Sequence, residues 1–334
     1  MKTTYSYEHL WNMTNSDGLF EHAEFQNPRL DHGYCVDDIS RGLVVLSREQ
    51  ERLIEAESVA VIYLRFIKAA QTIDGWSHNR MNISGIWTDS PTLDDCWGRS
   101  LWALGSVAAR MPIWSESAIA AFERGAKNRS PWLHANCFAA LGAAEVLSIK
   151  PDNEVAQQTL AVTAAMISSA RSKNGWPWPE SRLRYANGAI PQVLILAGHL
   201  LGNPQWLKNG IDLLDWLVGI ETHEGHISVT PVGGWGPGEP RPGFDQQPIE
   251  VAALADACQC AFDITNDAKW LRIVELCAQW FDGNNDAQIL MTDEIHSVGY
   301  DGLHQFSRNH NSGAESTLAM LSTFQHVKKI KVHS

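Results

Sequence analysis

The sequence predicts an all-α fold in which a ring of inner helices is enclosed by a ring of outer helices, an (α/α)6 toroid. Segments that are apolar on nearly every face alternate along the chain with segments that are apolar on one face. A helix that is apolar all round must be buried all round, whereas a one-sided helix also meets water. The apolar segments start about every 55 residues, the length of two helices with their loops. No β alternation persists long enough to build a sheet, and residues 226–232 are expected to form a short hairpin at most.

The helix assignments follow from this alternation in chain order. Inner helices are predicted at residues 38–48, 95–109, 132–147, 186–201, 248–262 and 312–324. Outer helices are predicted at residues 51–71, 115–125, 152–171, 204–220 and 267–283. Residues 4–14 are expected to supply the sixth outer helix. Within the fourth predicted outer helix, Leu207, Ile211 and Leu214 have the spacing of a single buried face.

A single domain is predicted over residues 1–334, with residues 1–30 as an N-terminal extension that contributes the sixth outer helix. The formal net charge of −12 disfavours nucleic acid and anionic membranes as partners but allows a neutral small-molecule or oligosaccharide substrate. The chain has no apolar run of about 18 residues and no apolar core of a secretory signal. The six cysteines form no CxxC pair, so reduced thiols and a cytoplasmic location are expected. The sequence carries no signal for an oligomeric state.

Acidic, amide and aromatic side chains gather where the inner helices begin. Helix capping explains one acid per helix, since Asp accepts free backbone N–H groups and suits the positive end of the helix dipole. Ion pairs need another reason. Asp38 and Arg41 lie three residues apart, and Asp95 and Arg99 four apart, and such pairs on apolar helices are costly unless they line a polar cavity. The predicted substrate-binding residues are His32, Tyr34, Asp37, Arg41, Trp76, Asp94, Trp97, Arg99, Trp178, Asn187, Gln246, Gln247, Glu250, Asn311 and Glu315.

Three carboxyl groups are the predicted catalytic residues of a glycoside-cleaving enzyme. Glu180 follows two Trp-Pro pairs at 176–179, where proline stiffens the loop. Indole rings exclude water from a neighbouring carboxyl and raise its pKa, as a general acid requires. Asp38 or Asp95 is expected to act as the base that completes the carboxyl pair. The aromatic side chains expected to stack on sugar rings are those of Trp76, Trp97 and Trp178.

Two other functions remain open at this stage. A sugar isomerase or epimerase of the same architecture would use histidines as acid and base, and the candidates near inner-helix starts are His32, His134, His304 and His310. A non-catalytic glycan-binding partner of a glycosyltransferase would share the pocket without the chemistry. No cofactor or metal is expected, because the chain has neither a Walker A nor a dinucleotide-binding motif and no second ligand pair beside His32 and Cys35.

Several runs at the inner-helix starts form longer motifs, at residues 32–41, 95–105, 176–180, 246–250 and 311–317. These motifs resemble a bacterial family of six-hairpin toroid proteins that are often described as glycosyltransferase-like, because the toroid can be fused to a glycosyltransferase domain. The resemblance covers residues 30–325. It implies the architecture of the six-hairpin glycosidases and a role in glycan metabolism. Transferase activity is not implied, since no nucleotide-sugar-binding α/β domain is present.

Overall fold

The computed structural model describes residues 5–49, 51, 54–169, 176–293 and 297–333. The helices in these ranges alternate between outer (odd-numbered) and inner (even-numbered) positions. They are α1 (Glu8–Asn12), α2 (Val36–Arg48), α3 (Ile54–Ala70), α4 (Asp95–Arg110), α5 (Ser115–Gly125), α6 (Leu133–Ile149), α7 (Glu154–Ser169), α8 (Ala189–Leu200), α9 (Pro204–Ile220), α10 (Pro248–Thr265), α11 (Lys269–Phe281) and α12 (Ala314–His333).

The inner helices form a closed ring. Each packs against the next in the order α2, α4, α6, α8, α10 and α12, and α12 packs against α2. The outer helices α3, α5, α7, α9 and α11 each pack on the inner helix that precedes them, and α1 packs on α12. Closure of the ring confirms the predicted (α/α)6 toroid and excludes an open stack of hairpins.

Small residues allow neighbouring inner helices to lie close together. A Cβ atom at Gly105 of α4 would lie 2.2 Å from the carbonyl oxygen of Gly142 in α6. A Cβ atom at Gly142 would in turn lie 2.2 Å from the carbonyl oxygen of Leu101. Any larger side chain at either position would force the two helices apart, which is costly in a close-packed interior.

Several helix ends differ from the predictions by a few residues, and three of these differences matter for the fold. Helix α8 begins at Ala189 rather than at 186, because Ala186 has a φ of 46° that an α-helix does not allow. Helix α12 continues to His333, nine residues past the predicted end. The predicted helix at 4–14 is only five residues long, from Glu8 to Asn12. The last residues of the predicted helix at 152–171, and the motif positions 174 and 175, lie outside the described residues.

Short strands occur in the loops and pair in four antiparallel two-stranded sheets. They are β1 (Ala23–Glu24) with β2 (Asn27–Pro28), β3 (Tyr34–Cys35) with β4 (Arg80–Met81), β5 (Thr222–His223) with β6 (His226–Ile227), and β7 (Thr292–Asp293) with β8 (Val298–Gly299). The hairpin of β5 and β6 overlaps the short hairpin predicted at 226–232. All six cysteines are free thiols. Within the described ranges, no helix is both long enough and apolar enough to span a membrane.

Candidate active site

A cavity of about 360 Å³ opens where the inner helices begin. Because the inner helices all run in the same direction around the ring, their N-terminal side chains converge there. The wall contains seven residues that were predicted from the sequence: Asp37, Arg41, Asp95, Arg99, Gln247, Glu250 and Glu315. The loop before α8 adds Arg182, Arg184 and Tyr185, and residues 230–234 and Ile249 also line the cavity.

Arg41 joins two acids of neighbouring inner helices at the cavity floor. Its guanidinium lies 2.5 Å from Asp38 Oδ1 in α2 and 2.7 Å from Glu315 Oε2 in α12. Asp38 is buried behind the wall rather than in it. Burial, with Glu315 and Asp37 adding to it, raises the pKa of Asp38 to about 7 although Arg41 opposes the shift. This geometry indicates that Asp38 orients the Arg41 side chain.

Arg99 lies at the centre of the same wall with few partners. Only 4% of its side chain is exposed, and its Nε is 3.5 Å from Asp37 Oδ1, too long for a hydrogen bond. The guanidinium carbon lies 3.8 Å from the ring centroid of Phe138, a cation–π contact. Asp37 instead accepts a hydrogen bond from the amide of Asn79. Burial raises the pKa of Asp37, while Arg99 and Arg41 oppose the shift.

Asp95 and Glu180 lie on either side of an aromatic pair. Burial raises the pKa of Tyr185 and Asp95 adds to this shift, so the two groups lie close together, and the Tyr185 ring stacks on His134 at a centroid distance of 4.6 Å. His134 Nδ1 is 3.6 Å from Glu180 Oε2. Burial raises the pKa of the Cys137 thiol, and both Glu180 and Asp95 add to this shift, so both carboxyl groups lie near Cys137.

Glu180 has the environment of a proton donor. Burial raises its pKa, while the Arg184 guanidinium opposes the shift. Its Oε2 atom is buried and accepts no hydrogen bond from the described residues. Burial also lowers the pKa of His134 to about 4, with Arg99 adding to the shift, so this imidazole is neutral near pH 7. Neither Glu180 nor His134 is among the residues that line the cavity.

Two buried acids hold loops of the cavity wall, one carrying Tyr185 and the other Thr230. Glu250 accepts hydrogen bonds from the backbone N–H groups of Ala186 (2.5 Å) and Asn187 (3.3 Å) and from the Asn187 amide (3.2 Å). Glu221 accepts from the backbone and hydroxyl of Thr230. Burial raises the pKa of both acids, for Glu221 to about 7, and the negative charge of Glu221 adds to the shift of Glu250. The hydrogen bonds that Glu250 accepts from Ala186 and Asn187 therefore fix the backbone of the loop that carries Tyr185.

Four predicted substrate-binding side chains belong to the core, and these predictions are corrected. Trp97 is 1% exposed and its indole donates to the Gly125 carbonyl oxygen, so it cannot stack on a ligand. Trp178 is 2% exposed and stacks on Trp216 of α9. The side chains of the two other residues also have their partners within the core. Tyr34 stacks on Phe20 and hydrogen-bonds Asn15, and Gln246 bonds Gly243, Trp280 and Asp286.

Four further predicted residues lie outside the cavity wall. The side chain of His32 is exposed and lies 3.7 Å from Asp31. Trp76 is 41% exposed, in a turn that closes on Thr72 away from the cavity. The Asn311 amide oxygen accepts the backbone N–H of Phe25 and ties the N-terminal extension to the loop before α12. The exposed Asp94 accepts a hydrogen bond from another exposed group, the indole of Trp132 (2.9 Å).

Sequence reasoning missed Trp132, Arg184 and, as a wall residue, Tyr185. Trp132 is 60% exposed directly before α6, two residues from His134, and its indole reaches the residue beside Asp95. A Trp directly before a predicted inner helix can be recognised in the sequence. No pattern in the sequence shows in which direction the side chain of a loop arginine points.

One group of potential metal ligands is present in the described residues. Single ligand atoms of Glu21, Cys35 and Asp38 lie within 4.8 Å of one another, and all three residues are buried. Their carboxylates already have cationic partners, Arg80 for Glu21 and Arg41 for Asp38. Burial raises the pKa of the Cys35 thiol, which disfavours the thiolate that a metal requires. These features fit a charge-paired cluster better than a metal centre.

The fold is shared with solved carbohydrate enzymes. A sugar epimerase from a ruminal bacterium superimposes with a TM-score of 0.72 at 12% identity, covering 96% of this chain and 95% of that one. A D-mannose isomerase gives 0.70 at 12% identity, covering 96% and 94%. A cellulase of C. cellulolyticum gives 0.61 at 8% identity, covering 94% and 88%. No family model and no curated protein sequence matches this chain. At such identities the likeness shows the six-hairpin fold; the glycosyltransferase-like label stays a prediction.

Proposed function

We propose that the chain is a glycoside hydrolase that cleaves a small oligosaccharide with Glu180 as general acid and Asp95 as base. The observation that carries the proposal is the unlike pair of carboxyl groups on either side of Tyr185 and His134. Burial raises the pKa of Glu180, the direction that a general acid requires, and its Oε2 atom has no hydrogen-bond partner among the described residues. Asp95 lines the open cavity. Glycosidic cleavage uses two carboxyl groups, one as proton donor and one as base.

In this mechanism each group has one task. Glu180 protonates the leaving oxygen of the glycosidic bond, and Asp95 removes a proton from the water that attacks the anomeric carbon. Arg41, Arg99 and Glu315 line the cavity with Asp95 and offer donors and acceptors to sugar hydroxyls. One of the proteins with a similar structure, a cellulase, supports a glycoside as the substrate class.

The test is sugar release from a panel of oligosaccharides by wild type, Glu180→Gln and Asp95→Asn. Each substitution removes a proton-transfer group while keeping the side-chain size, so turnover should fall by about 10²- to 10⁴-fold. Glu116→Gln is the control, since Glu116 is exposed on the outer helix α5. Unchanged turnover in both cavity variants would remove this assignment of roles.

A second candidate, a sugar isomerase or epimerase, is favoured by His134. Its imidazole is neutral near pH 7, and its buried Nε2 has no hydrogen-bond partner among the described residues. It stacks on Tyr185 of the cavity wall, in a fold that a sugar epimerase and a mannose isomerase share. NMR of free mannose, glucose and N-acetyl sugars separates the candidates. Interconversion without cleavage, lost in His134→Gln, would replace hydrolysis as the function.

A non-catalytic glycan-binding role is the third outcome of the same experiments. Such a protein would bind oligosaccharides without turnover, and no single carboxyl substitution would abolish binding.

A further inference from the structure

Four arginines lie in the cavity wall, and three of them have carboxylate partners. Arg41 contacts Asp38 and Glu315, Arg99 faces Asp37, and Arg182 forms two hydrogen bonds of 3.0 Å with Glu239. Arg184 is the exception. Its side chain makes no hydrogen bond or ion pair with any residue that the structure describes, although it lines the cavity.

Arg99 lines the same cavity as Arg184 and also has an N–H group without a partner among the described residues. Its side chain is 4% exposed, and its Nε is buried without a hydrogen-bond partner among the described residues. A buried guanidinium with unused N–H groups is costly, because each of these N–H groups loses on folding the hydrogen bond that it made to water. The pKa of His134 is lowered by Arg99 and by Arg184 as well as by burial, so both guanidinium groups lie near this imidazole.

The Arg184 side chain is exposed, so water solvates its charge in the free protein. A ligand that fills the cavity would displace this water and leave the guanidinium without hydrogen-bond partners, unless the ligand itself supplies one.

We infer that the sugar bound in this cavity carries an anionic substituent, a carboxylate or a phosphate, which the Arg184 guanidinium binds while Arg99 donates from the cavity wall. The inference rests on the proposed function only in taking this cavity as the sugar site. A planar guanidinium binds a carboxylate or phosphate with two parallel hydrogen bonds, whereas a neutral hydroxyl leaves its charge uncompensated.

Binding of small glycosides tests the inference without requiring turnover. The probes are methyl β-D-glucuronide, glucose 6-phosphate and neutral methyl β-D-glucoside, titrated calorimetrically into the Glu180→Gln protein. The charged probe that fits should bind at least about 10-fold more tightly than the glucoside. Adding Arg184→Gln should weaken that probe by about 10- to 100-fold and the glucoside by less than about 2-fold. Arg184→Lys should keep part of the preference, because it retains the charge but loses the planar fork.

Arg272→Gln is the matched control, since Arg272 is exposed on the outer helix α11 and its loss changes the net charge equally. Preference for the uronide identifies the carboxylate, and preference for the phosphate ester identifies that group. Equal affinity for charged and neutral probes would overturn the inference, as would a preference that survives Arg184→Gln. Selective binding without any glycoside cleavage would remove the hydrolase proposal and leave this inference standing. Cleavage of neutral oligosaccharides that is insensitive to Arg184→Gln would overturn this inference and leave the hydrolase proposal standing.

Discussion

At the C-terminal ends of the inner helices a second cavity, of about 450 Å³, opens on the opposite face of the ring. Its central acid is Asp256 of α10, which is bonded by Arg48 at 3.0 Å, by His326 at 2.5 Å and by Ser322 at 3.3 Å. Burial alone would raise the pKa of Asp256, but Arg48 and His326 outweigh it and lower the pKa to about 2. At the N-terminal ends, by contrast, burial prevails, and the pKa values of Asp37, Asp38, Glu180 and Glu250 are all raised.

The same fold thus contains two polar cavities that differ in how completely their charged groups are paired with each other. Further ion pairs surround the C-terminal cavity, between Arg110 and Glu145 and between Lys329 and Asp263. Charges that are paired with each other stabilise the ring and have little left to offer a ligand. The N-terminal cavity leaves Arg99 and Glu180 with unused hydrogen-bonding atoms. Such groups reduce stability in the free protein and become favourable when a ligand supplies the missing partner.

The largest expected effects come from exchanging one acid in each cavity. Asp256→Asn removes the counter-charge of Arg48 and His326 and should lower the free energy of unfolding by about 3 kcal/mol, with turnover per folded molecule unchanged. Asp95→Asn should lower turnover by about 10²- to 10⁴-fold and the free energy of unfolding by less than about 1 kcal/mol. Urea denaturation and sugar release measure the two quantities. Similar stability losses in both variants would contradict the division between the cavities.

An effect on stability that depends on pH is expected for Glu221 beside the N-terminal cavity. Its pKa is raised from 4.5 to about 7 in the folded chain, so the unfolded chain loses this proton first as pH rises. Wild type should therefore lose stability between pH 4.5 and about 7, on the order of 3 kcal/mol in all. Glu221→Gln keeps the acceptor for Thr230 and does not titrate, so its stability relative to wild type should increase across this window.

Asp256 provides the comparison for that titration. Its pKa is lowered from 3.8 to about 2, so its stabilising contribution is complete above pH 3.8 and is lost as pH falls through about 2. The stability difference between wild type and Asp256→Asn should therefore close on acidification. Unfolding curves at a series of pH values measure both variants. A Glu221→Gln difference that is constant from pH 4.5 to 7 would show that this acid is already ionised when folded.

The ring and the gathering of acids could be predicted because they follow from patterns along the sequence. Apolar periodicity separates inner from outer helices, and parallel inner helices must bring their first residues together. Asp37, Asp95, Glu250 and Glu315 therefore lie in one cavity wall, whereas Asp38 and Glu180 are not among its lining residues.

Side-chain directions could not be predicted, because partners distant in sequence decide them. Trp97 points into the core because the Gly125 carbonyl oxygen accepts its indole proton. Tyr185 reaches the wall because Glu250, which is more than 60 residues away, holds the backbone of the next two residues. Neither partner is marked by spacing or composition, so the sequence places these aromatic residues near the site without showing which one faces it.

The smallest expected effect separates two exposed tryptophans on the face that carries the N-terminal cavity. Trp132 lies directly before α6 and is bonded to the neighbour of Asp95, whereas Trp76 lies in a turn off the cavity wall. A sugar ring that extends from the cavity would pack on the Trp132 indole, so Trp132→Ala should raise KM by about 3- to 10-fold, close to 1 kcal/mol, with kcat nearly unchanged. Trp76→Ala should change neither constant, and Trp132→Phe should restore part of the loss. If Trp76→Ala instead raises KM more than Trp132→Ala, the substrate leaves the cavity on the side of the turn at 72–76, and the sugar-binding rim has to be redrawn there.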